Sequence, residues 1–188
     1  MQDKIKVWDL PVRLFHWLLV LSFFIAYLTE EEFLTPHVYA GYVVIGLMVF
    51  RFIWGFTGSR FARFSSFICS PAASLAYLKD LATLKAKRYI GHNPAGSAMI
   101  LLLFISLLML CISGLAVYAA EEHAGPLARF AISHGDFWEE IHEFFANFTL
   151  FLVVLHVVGV IVESRLHGES LVKSMLTGYK FIKTKSKQ

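Results

Sequence analysis

Four histidines lie inside long apolar stretches of this sequence, and they are the residues best suited to carry chemistry. They are His16, His37, His142 and His156. An ionisable side chain is costly inside a lipid bilayer, so such residues usually serve a function. Because neutral imidazole binds metals well, the set indicates a buried metal or cofactor site. Each histidine taken alone could instead form only a hydrogen bond to a neighbouring helix.

The composition indicates that much of the chain faces lipid. Hydrophobic residues make up 57% of it, charged residues 16%, and the mean hydropathy is +0.61. Soluble domains carry about 25% charged residues, so the figures exclude a soluble domain and an intrinsically disordered chain. Cys69 and Cys111 have no CxxC or CxxCH context. This excludes a disulfide scaffold, a zinc knuckle and covalently attached c-type haem.

Four apolar windows predict transmembrane helices, each of which needs about 20 residues. They cover approximately residues 10–29, 37–56, 95–120 and 137–162. Pro11 and Pro36 lie just inside the first two starts, where proline is tolerated. Asp136 and Glu139 resemble a capping box, which predicts that the last helix begins near Phe137. We therefore predict an all-α membrane protein, a four-transmembrane-helix bundle formed by a single domain over residues 1–188.

The segments between the windows predict the orientation. Arg129 is the one exception among the 17 lysines and arginines. The others lie in the N-terminal segment, between the second and third windows, in the tail of residues 165–188, or at the window ends that adjoin these segments. The positive-inside rule then places both termini in the cytoplasm. Acidic residues fill the other two loops: Glu30, Glu31, Glu32, Glu121, Glu122, Asp136, Glu139 and Glu140. Leucines and lysines alternate over residues 70–88, which predicts an amphipathic helix at the membrane surface, with an ordinary solvated helix as the alternative.

This orientation sorts the four histidines into two levels. His142 and His156 are 14 residues apart, which corresponds to about 40° around a helix and about 21 Å along it. They therefore share one face of the last helix and lie in opposite leaflets. Since successive helices alternate in direction, His16 is level with His156 near the cytoplasm. His37 is level with His142 near the outside.

Two imidazoles at each level narrow the chemistry. Zinc or copper would need three or four ligands close together, and a proton relay would include carboxylates deep in the spans. Haem supplies four nitrogens of its own and needs only two axial ligands. We therefore predict two bis-histidine b-type haems, one held by His16 and His156 and the other by His37 and His142. Six-coordinate iron favours electron transfer.

Smaller features are consistent with this prediction, each with an alternative. Gly41, one turn after His37, and Gly159, three residues after His156, would leave room for a flat macrocycle, or would allow close helix contact. Arg13 and Arg51 lie near the cytoplasmic interface, where they would pair with haem propionates or simply extend to the interface as anchors.

Two further sets of residues lie at the ends of the windows. Four tryptophans are predicted to form an aromatic belt at the membrane interfaces: Trp8, Trp17, Trp54 and Trp138. The segment Gly91-His92-Asn93-Pro94 predicts a turn into the third helix, with a place near the inner haem or a quinone headgroup as the alternative.

Five segments together resemble a known family. VWDLPVRLFHW at residues 7–17 resembles the opening motif of the bacterial cytochrome b561 and nickel-iron hydrogenase cytochrome b superfamily. Further similar segments are HVYAGY (37–42), RFIWGF (51–56), GHNP (91–94) and HGE (167–169). The resemblance covers nearly the whole chain and implies a four-helix cytochrome with two b haems in the bacterial cytoplasmic membrane. Its ligand pattern falls on the same four histidines.

The predicted function is electron transfer across the cytoplasmic membrane. The donor or acceptor outside would be a periplasmic redox protein, either a c-type cytochrome or a hydrogenase, and the other partner would be the quinone pool, ubiquinone or menaquinone. An acidic outer loop over residues 121–140 would offer a docking face or merely a solvated surface. The alternative is a stand-alone superoxide:ubiquinone oxidoreductase, with Arg129 drawing in the anion. Lipid is an expected partner and nucleic acid is not, and a homo-oligomer is compatible with the sequence.

Overall fold

The computed structural model describes residues 2–29, 33–130 and 132–183, and these are mostly helical. The elements in chain order are β1 (Gln2–Lys6), α1 (Leu10–Leu28), α2 (Leu34–Thr57), α3 (Pro71–Ala82), α4 (Pro94–Glu121), α5 (Gly135–His167), α6 (Leu171–Thr177) and β2 (Tyr179–Lys183). Four helices, α1, α2, α4 and α5, are long and apolar enough to cross a membrane. This confirms the predicted fold class. The glutamates at 30–32 and the tail at 184–188 lie outside the described residues.

Three of the four long helices, α2, α4 and α5, extend further than the apolar windows. α2 begins at Leu34, three residues before its window, and α5 begins at Gly135. Asp136 therefore lies in the first turn of α5 and is not its cap, so the predicted start near Phe137 is too late. The carboxylate at this position still interacts favourably with the helix dipole. At its other end α5 continues to His167, because a hydropathy window measures the lipid-facing length and not the end of the helix.

The chain divides into two compact units, and the central unit comprises Leu18–Val49 and Leu101–Val154. Its core is built from Phe23 of α1, Val44 and Met48 of α2, and Leu107 of α4, with Leu150 of α5 packed against them. All four long helices thus contribute to one core. Only 17–28% of the most apolar window of each long helix is buried, which leaves the remaining apolar surface for lipid.

One polar contact crosses the core of the central unit. The hydroxyls of Ser106 on α4 and Thr149 on α5 lie 2.7 Å apart, and each residue is only 1% exposed. A hydrogen bond between helices contributes about 0.6 kcal/mol on average in a membrane protein. It also joins α4 to α5 at this level of the central unit.

The terminal unit comprises the described parts of Met1–Trp17, Phe50–Ile100 and Leu155–Gln188. Strands β1 and β2 pair antiparallel, with Ile5 opposite Lys180. Gly178 ends α6 with a φ of +88°, and its carbonyl accepts hydrogen bonds from the backbone N–H groups of Val7 (2.8 Å) and Trp8 (3.1 Å). Paired strands must lie on the same side of a membrane. The chain between β1 and β2 must therefore cross the membrane an even number of times, which agrees with the four long helices.

Helix α3 belongs to the terminal unit and is shorter than the predicted 70–88. The Ser70 hydroxyl accepts a hydrogen bond from the N–H of Ala73 at 3.3 Å, and the helix ends before Leu84, which has a φ of +57°. The hydroxyl of Tyr77 donates to Oε1 of Glu163 on α5 at 2.8 Å. Burial, together with that hydrogen bond, raises the pKa of Tyr77. The Leu75 side chain on the other face stays exposed, and the membrane-surface position of α3 stays a prediction.

The predicted aromatic belt is wrong for Trp8. This residue is only 8% exposed, its ring lies 4.6 Å from that of His92, and its Nε1 donates to Oγ of Ser174 at 3.4 Å. Trp54 also has a partner in the protein, since its Nε1 donates to Oδ2 of Asp9 at 3.1 Å. Composition near a helix end shows that a tryptophan is close to the interface, but not that it faces lipid.

Candidate functional site

The histidine pair that the charge pattern predicts near the outside, the outer pair, comes together in the central unit, and the pair predicted near the cytoplasm, the inner pair, in the terminal unit. The rings of His37 on α2 and His142 on α5 have centroids 5.9 Å apart and planes inclined by 77°. Nδ1 of His37 donates to the carbonyl of Ala26 at 2.9 Å, and Nδ1 of His142 donates to the carbonyl of Leu110 at 3.1 Å. A carbonyl can only accept, so the proton is on Nδ1 in both rings. Nε2 of each ring therefore keeps a lone pair for a metal, the arrangement that metal-binding histidines usually have.

Helix α4 provides no ligand to this pair but shapes its surroundings. A Cβ added at Gly114 would lie 2.7 Å from Cε1 of His142, so only glycine leaves room for the ring. The hydroxyl of Ser113 lies 3.3 Å from Nδ1 of the same ring. The sequence reasoning missed both residues. The available signal was a glycine in the third span that no turn requires.

An apolar cavity adjoins the outer pair within the central unit. It has a volume of about 90 Å³ for the centre of a water-sized sphere, and both histidines, Gly41 and Gly114 line it. A Cβ at Gly41 would meet no atom within 4 Å, so this glycine does not serve a close helix contact.

The inner pair comes together in the terminal unit. The rings of His16 on α1 and His156 on α5 have centroids 6.4 Å apart, with planes inclined by 51°. Nδ1 of His16 is buried and has no hydrogen-bond partner. The edge of the His16 ring packs against Trp17, with centroids 4.9 Å apart. A Cβ at Gly159 would meet no atom within 4 Å, so the face of α5 beside His156 is open.

Both separations fit axial ligation of one iron. A metal–imidazole bond is about 2 Å long, and with roughly 1.2 Å from the nitrogen to the ring centre, two opposed imidazoles have centroids about 6.4 Å apart. The observed 5.9 and 6.4 Å lie close to this value. Within the part of the chain that the structure describes, no three His, Cys, Asp or Glu side chains come together as a metal site. Two ligands per level suit haem, which provides the other four nitrogens.

Arg51, predicted as a propionate partner or an interfacial anchor, is buried in the terminal unit. The residue is 5% exposed, its Cζ lies 4.9 Å from the Phe64 ring centroid, and its Nη1 has no hydrogen-bond partner among the residues that the structure describes. A side chain that reaches the interface as an anchor would keep its charged end in water. The burial of Arg51 therefore favours a role inside the protein.

Arg13 is placed differently. Its Nε donates to the carbonyl of Met175 at 3.3 Å and its Nη2 to that of Leu176, both at the end of α6. A guanidinium at a helix C-terminus satisfies carbonyls that lack a helical partner. Two of its three nitrogens are thus engaged within the protein, which makes Arg51 the stronger propionate candidate.

His92 is a residue to which the sequence assigned no definite role. The GHNP segment forms the expected turn: α4 begins at Pro94, and Oδ1 of Asn93 accepts a hydrogen bond from the N–H of Gly96 at 2.7 Å. The His92 ring is held between Trp8 and Phe67, at centroid distances of 4.6 and 4.7 Å. Burial first, and then the charge of Arg51, lower the pKa of His92 to about 3. The ring is therefore neutral at physiological pH.

Comparison with known proteins gives a consistent set of relatives. A family model described as prokaryotic cytochrome b561 matches residues 7–178. Proteins named probable Ni/Fe-hydrogenase B-type cytochrome subunit are similar over most of the chain. That of Azotobacter vinelandii is 25% identical over 97% of this chain and 90% of its own length, and that of Cupriavidus necator is 23% identical over 94% and 87%. That of Rhodobacter capsulatus is 22% identical over 97% and 83%. No solved structure matches significantly.

Proposed function

The chain belongs to the prokaryotic cytochrome b561 family, and from this premise we propose that it is a di-haem subunit carrying electrons across the bacterial cytoplasmic membrane. Haem b and membrane electron transfer follow from the family. The number of haems, their ligands and the partners are our proposal. The observation that carries it is the pair of histidine couples, each with the ring separation that one iron requires.

In this proposal His37 and His142 hold one haem, and His16 and His156 hold the other. Bound haem supplies a one-electron couple at its iron. The backbone carbonyls of Ala26 and Leu110 orient the outer imidazoles and keep their Nε2 atoms unprotonated. With two histidines holding each haem, the iron would have no open position, and the group would supply electron transfer and not ligand binding.

Gly41 and Gly159 support the same arrangement by leaving open the helix faces beside the histidines. Arg51 would provide a positive charge for a propionate. The charge pattern supports cytoplasmic termini, and on that basis the couple of His16 and His156 lies near the cytoplasm. The other couple lies near the outside.

The relatives support a particular class of partner. Each is named as a hydrogenase subunit, which favours a periplasmic hydrogenase as electron donor and the quinone pool as acceptor. The same names favour an electron-transfer subunit over a superoxide:ubiquinone oxidoreductase. Arg129, which that alternative would use, is exposed, and its Cζ lies 4.8 Å from the Phe130 ring centroid. Haem reduction by superoxide that is lost on changing Arg129 would reverse this preference.

Single histidine replacements test the ligand assignment. We expect His16→Leu or His156→Leu to remove one haem, and His37→Leu or His142→Leu to remove the other, because leucine fills similar space without a ligand. The measurements are haem per polypeptide and the low-spin signals in electron paramagnetic resonance. His123→Asn is the matched control, since this exposed histidine has a φ of +50°, which asparagine tolerates. Wild-type protein with a single haem, or replacements that remove haems in other combinations, would contradict the proposal.

The quinone partner needs a separate measurement. Purified protein mixed with a soluble ubiquinol or menaquinol analogue should show reduced haem absorbance within the mixing time. Haems that stay oxidised with both quinols, while dithionite reduces them, would exclude the quinone pool as a direct partner.

A further inference from the structure

Among the described residues, two of the buried polar atoms without a hydrogen-bond partner lie around the same phenylalanine of the terminal unit. They are Nδ1 of His92 and Nη1 of Arg51. The Phe67 ring centroid lies 4.7 Å from that of His92 and 5.9 Å from Cζ of Arg51. Buried polar atoms in proteins are nearly always hydrogen-bonded, and an exception calls for a missing partner.

The charge on Arg51 indicates what that partner is. A guanidinium stays protonated in proteins, and among the described residues no carboxylate forms an ion pair with it. The faces of Phe64 and Phe67 offset only part of the cost of removing this charge from water. The carboxylate of Asp9 acts on this charge without forming such an ion pair, so the described residues compensate only part of it. The missing partner is therefore an anion with oxygen acceptors.

The position of His92 is fixed by the structure around it. Proline at 94 and the hydrogen bond from Gly96 to Asn93 fix the backbone immediately after it. Trp8 and Phe67 both contact the ring, and His156 belongs to the same unit and contributes to the lowered pKa of His92. A haem held by the inner pair would bring two propionates into this part of the protein.

Building on the proposed function, we propose that His92 and Arg51 bind one propionate of the haem held by His16 and His156, with Nδ1 and Nη1 as the two donors. His92 is a positioning residue in this role, because it contacts the edge of the cofactor and not its iron. The GHNP turn thereby serves two purposes. It starts α4, and it presents a donor to the inner haem.

The test uses purified, haem-loaded protein in detergent. His92→Phe keeps a ring between Trp8 and Phe67 but removes the donor, whereas His92→Asn keeps an N–H donor near the position of Nδ1. Arg51→Gln removes the charge, and Arg60→Gln is the matched control, because Arg60 is exposed in the same unit. The readouts are the midpoint potential of each haem and the rate of haem transfer to excess apomyoglobin. His16→Leu identifies which signal is the inner haem.

We expect His92→Phe and Arg51→Gln each to lower the inner midpoint potential, because the propionate charge is then less compensated. Loss of the inner haem should be about tenfold faster, since removal of a supporting hydrogen bond typically costs 10–100-fold in metal affinity. His92→Asn should restore most of both properties, while the outer haem and the Arg60→Gln protein stay at wild-type values. Unchanged inner potential and loss rate in His92→Phe would overturn the inference.

Other results separate this inference from the function on which it rests. Equal changes at both haems would indicate general destabilisation and would also overturn it. If His92→Phe alters only the rate of haem reduction by quinol, the two donors serve a quinone and not a propionate. Wild-type protein that lacks the inner haem would instead contradict the proposed function itself. Should His92→Phe fail to fold, His92→Asn and Arg51→Gln decide the question by the same two readouts.

Discussion

Alanine at position 114 would press a methyl group against the outer histidine couple. The new Cβ would lie 2.7 Å from Cε1 and 3.1 Å from Nδ1 of His142, where ordinary contact begins at 3.4 Å. The ring must then move away from α4 by about 0.7 Å, which stretches its 3.1 Å hydrogen bond to Leu110 to roughly 3.8 Å. At that distance the hydrogen bond is lost.

The expected loss can be estimated from metal sites. Removing a hydrogen bond that orients a metal-binding histidine typically costs 10–100-fold in metal affinity, or about 1.4–2.8 kcal/mol. Alanine itself favours a helix over glycine by about 1 kcal/mol. Gly114→Ala should therefore weaken the outer haem site without weakening α4. We expect haem per polypeptide to fall toward one, with the remaining low-spin signal that of the inner haem.

Two other glycines make the experiment specific. Gly46 is exposed on α2 and a Cβ there meets nothing within 4 Å, so Gly46→Ala should keep both haems. Gly41 also has open space around it but lines the cavity beside both histidines. Gly41→Ala should reduce outer haem occupancy because its methyl group meets the cofactor and not the protein. Gly114→Ala protein with two haems, an unchanged spectrum and unchanged haem loss would refute the steric reasoning.

Two more predictions concern the terminal unit. Gly178→Ala combines a φ of +88° with a Cβ only 2.6 Å from the Trp8 carbonyl oxygen. We therefore expect the variant to lose about 1–3 kcal/mol of stability, measured as a lower Tm. A Tm at or above the wild-type value would contradict this. Burial raises the pKa of Glu169, but hydrogen bonds from Arg88 and Lys180 outweigh it and leave the pKa below its usual 4.5. The ionised carboxylate thus stabilises the fold above pH 4.5, and this contribution is lost as the pH falls through the lower folded pKa. In the wild type, amide-exchange protection of β2 should fall over that pH range. The Glu169→Gln variant should show low protection already at neutral pH. A Gln variant that keeps wild-type protection and its acid dependence would exclude the Glu169 carboxylate as the source of this stabilisation.

The sequence predicted the long helices well because lipid imposes one strong requirement on each of them. About 20 apolar residues suffice to identify a span, so the windows agreed with α1, α2, α4 and α5 apart from their ends. The periodicity of α5 likewise allowed His142 and His156 to be assigned to one face and two depths. Each couple then followed from the alternating direction of the helices.

Residues that act through tertiary contacts were beyond such reasoning. Gly114 matters only because the His142 ring lies against it, and the window of residues 95–120 offered no charged residue to draw attention. Strand β1 is five residues long and largely polar, and it exists because β2 is hydrogen-bonded beside it. His92 and Trp8 looked like a turn residue and an interfacial anchor, because neither burial nor an unpartnered nitrogen is visible in one sequence.

The pairing of β1 with β2 places the first and last described residues, Gln2 and Lys183, side by side. Gln2 lies directly opposite Lys183, and such partners in an antiparallel pair have Cα atoms only about 5 Å apart. A linker of about two residues, the length of a tight hairpin turn, is therefore enough to join them. The order of the spans along the chain can thus be changed while the way they pack stays the same. A circular permutant opened near Gly125, in the loop between α4 and α5, would insert its spans in a new order. The pairing of β1 with β2 would still be available to it.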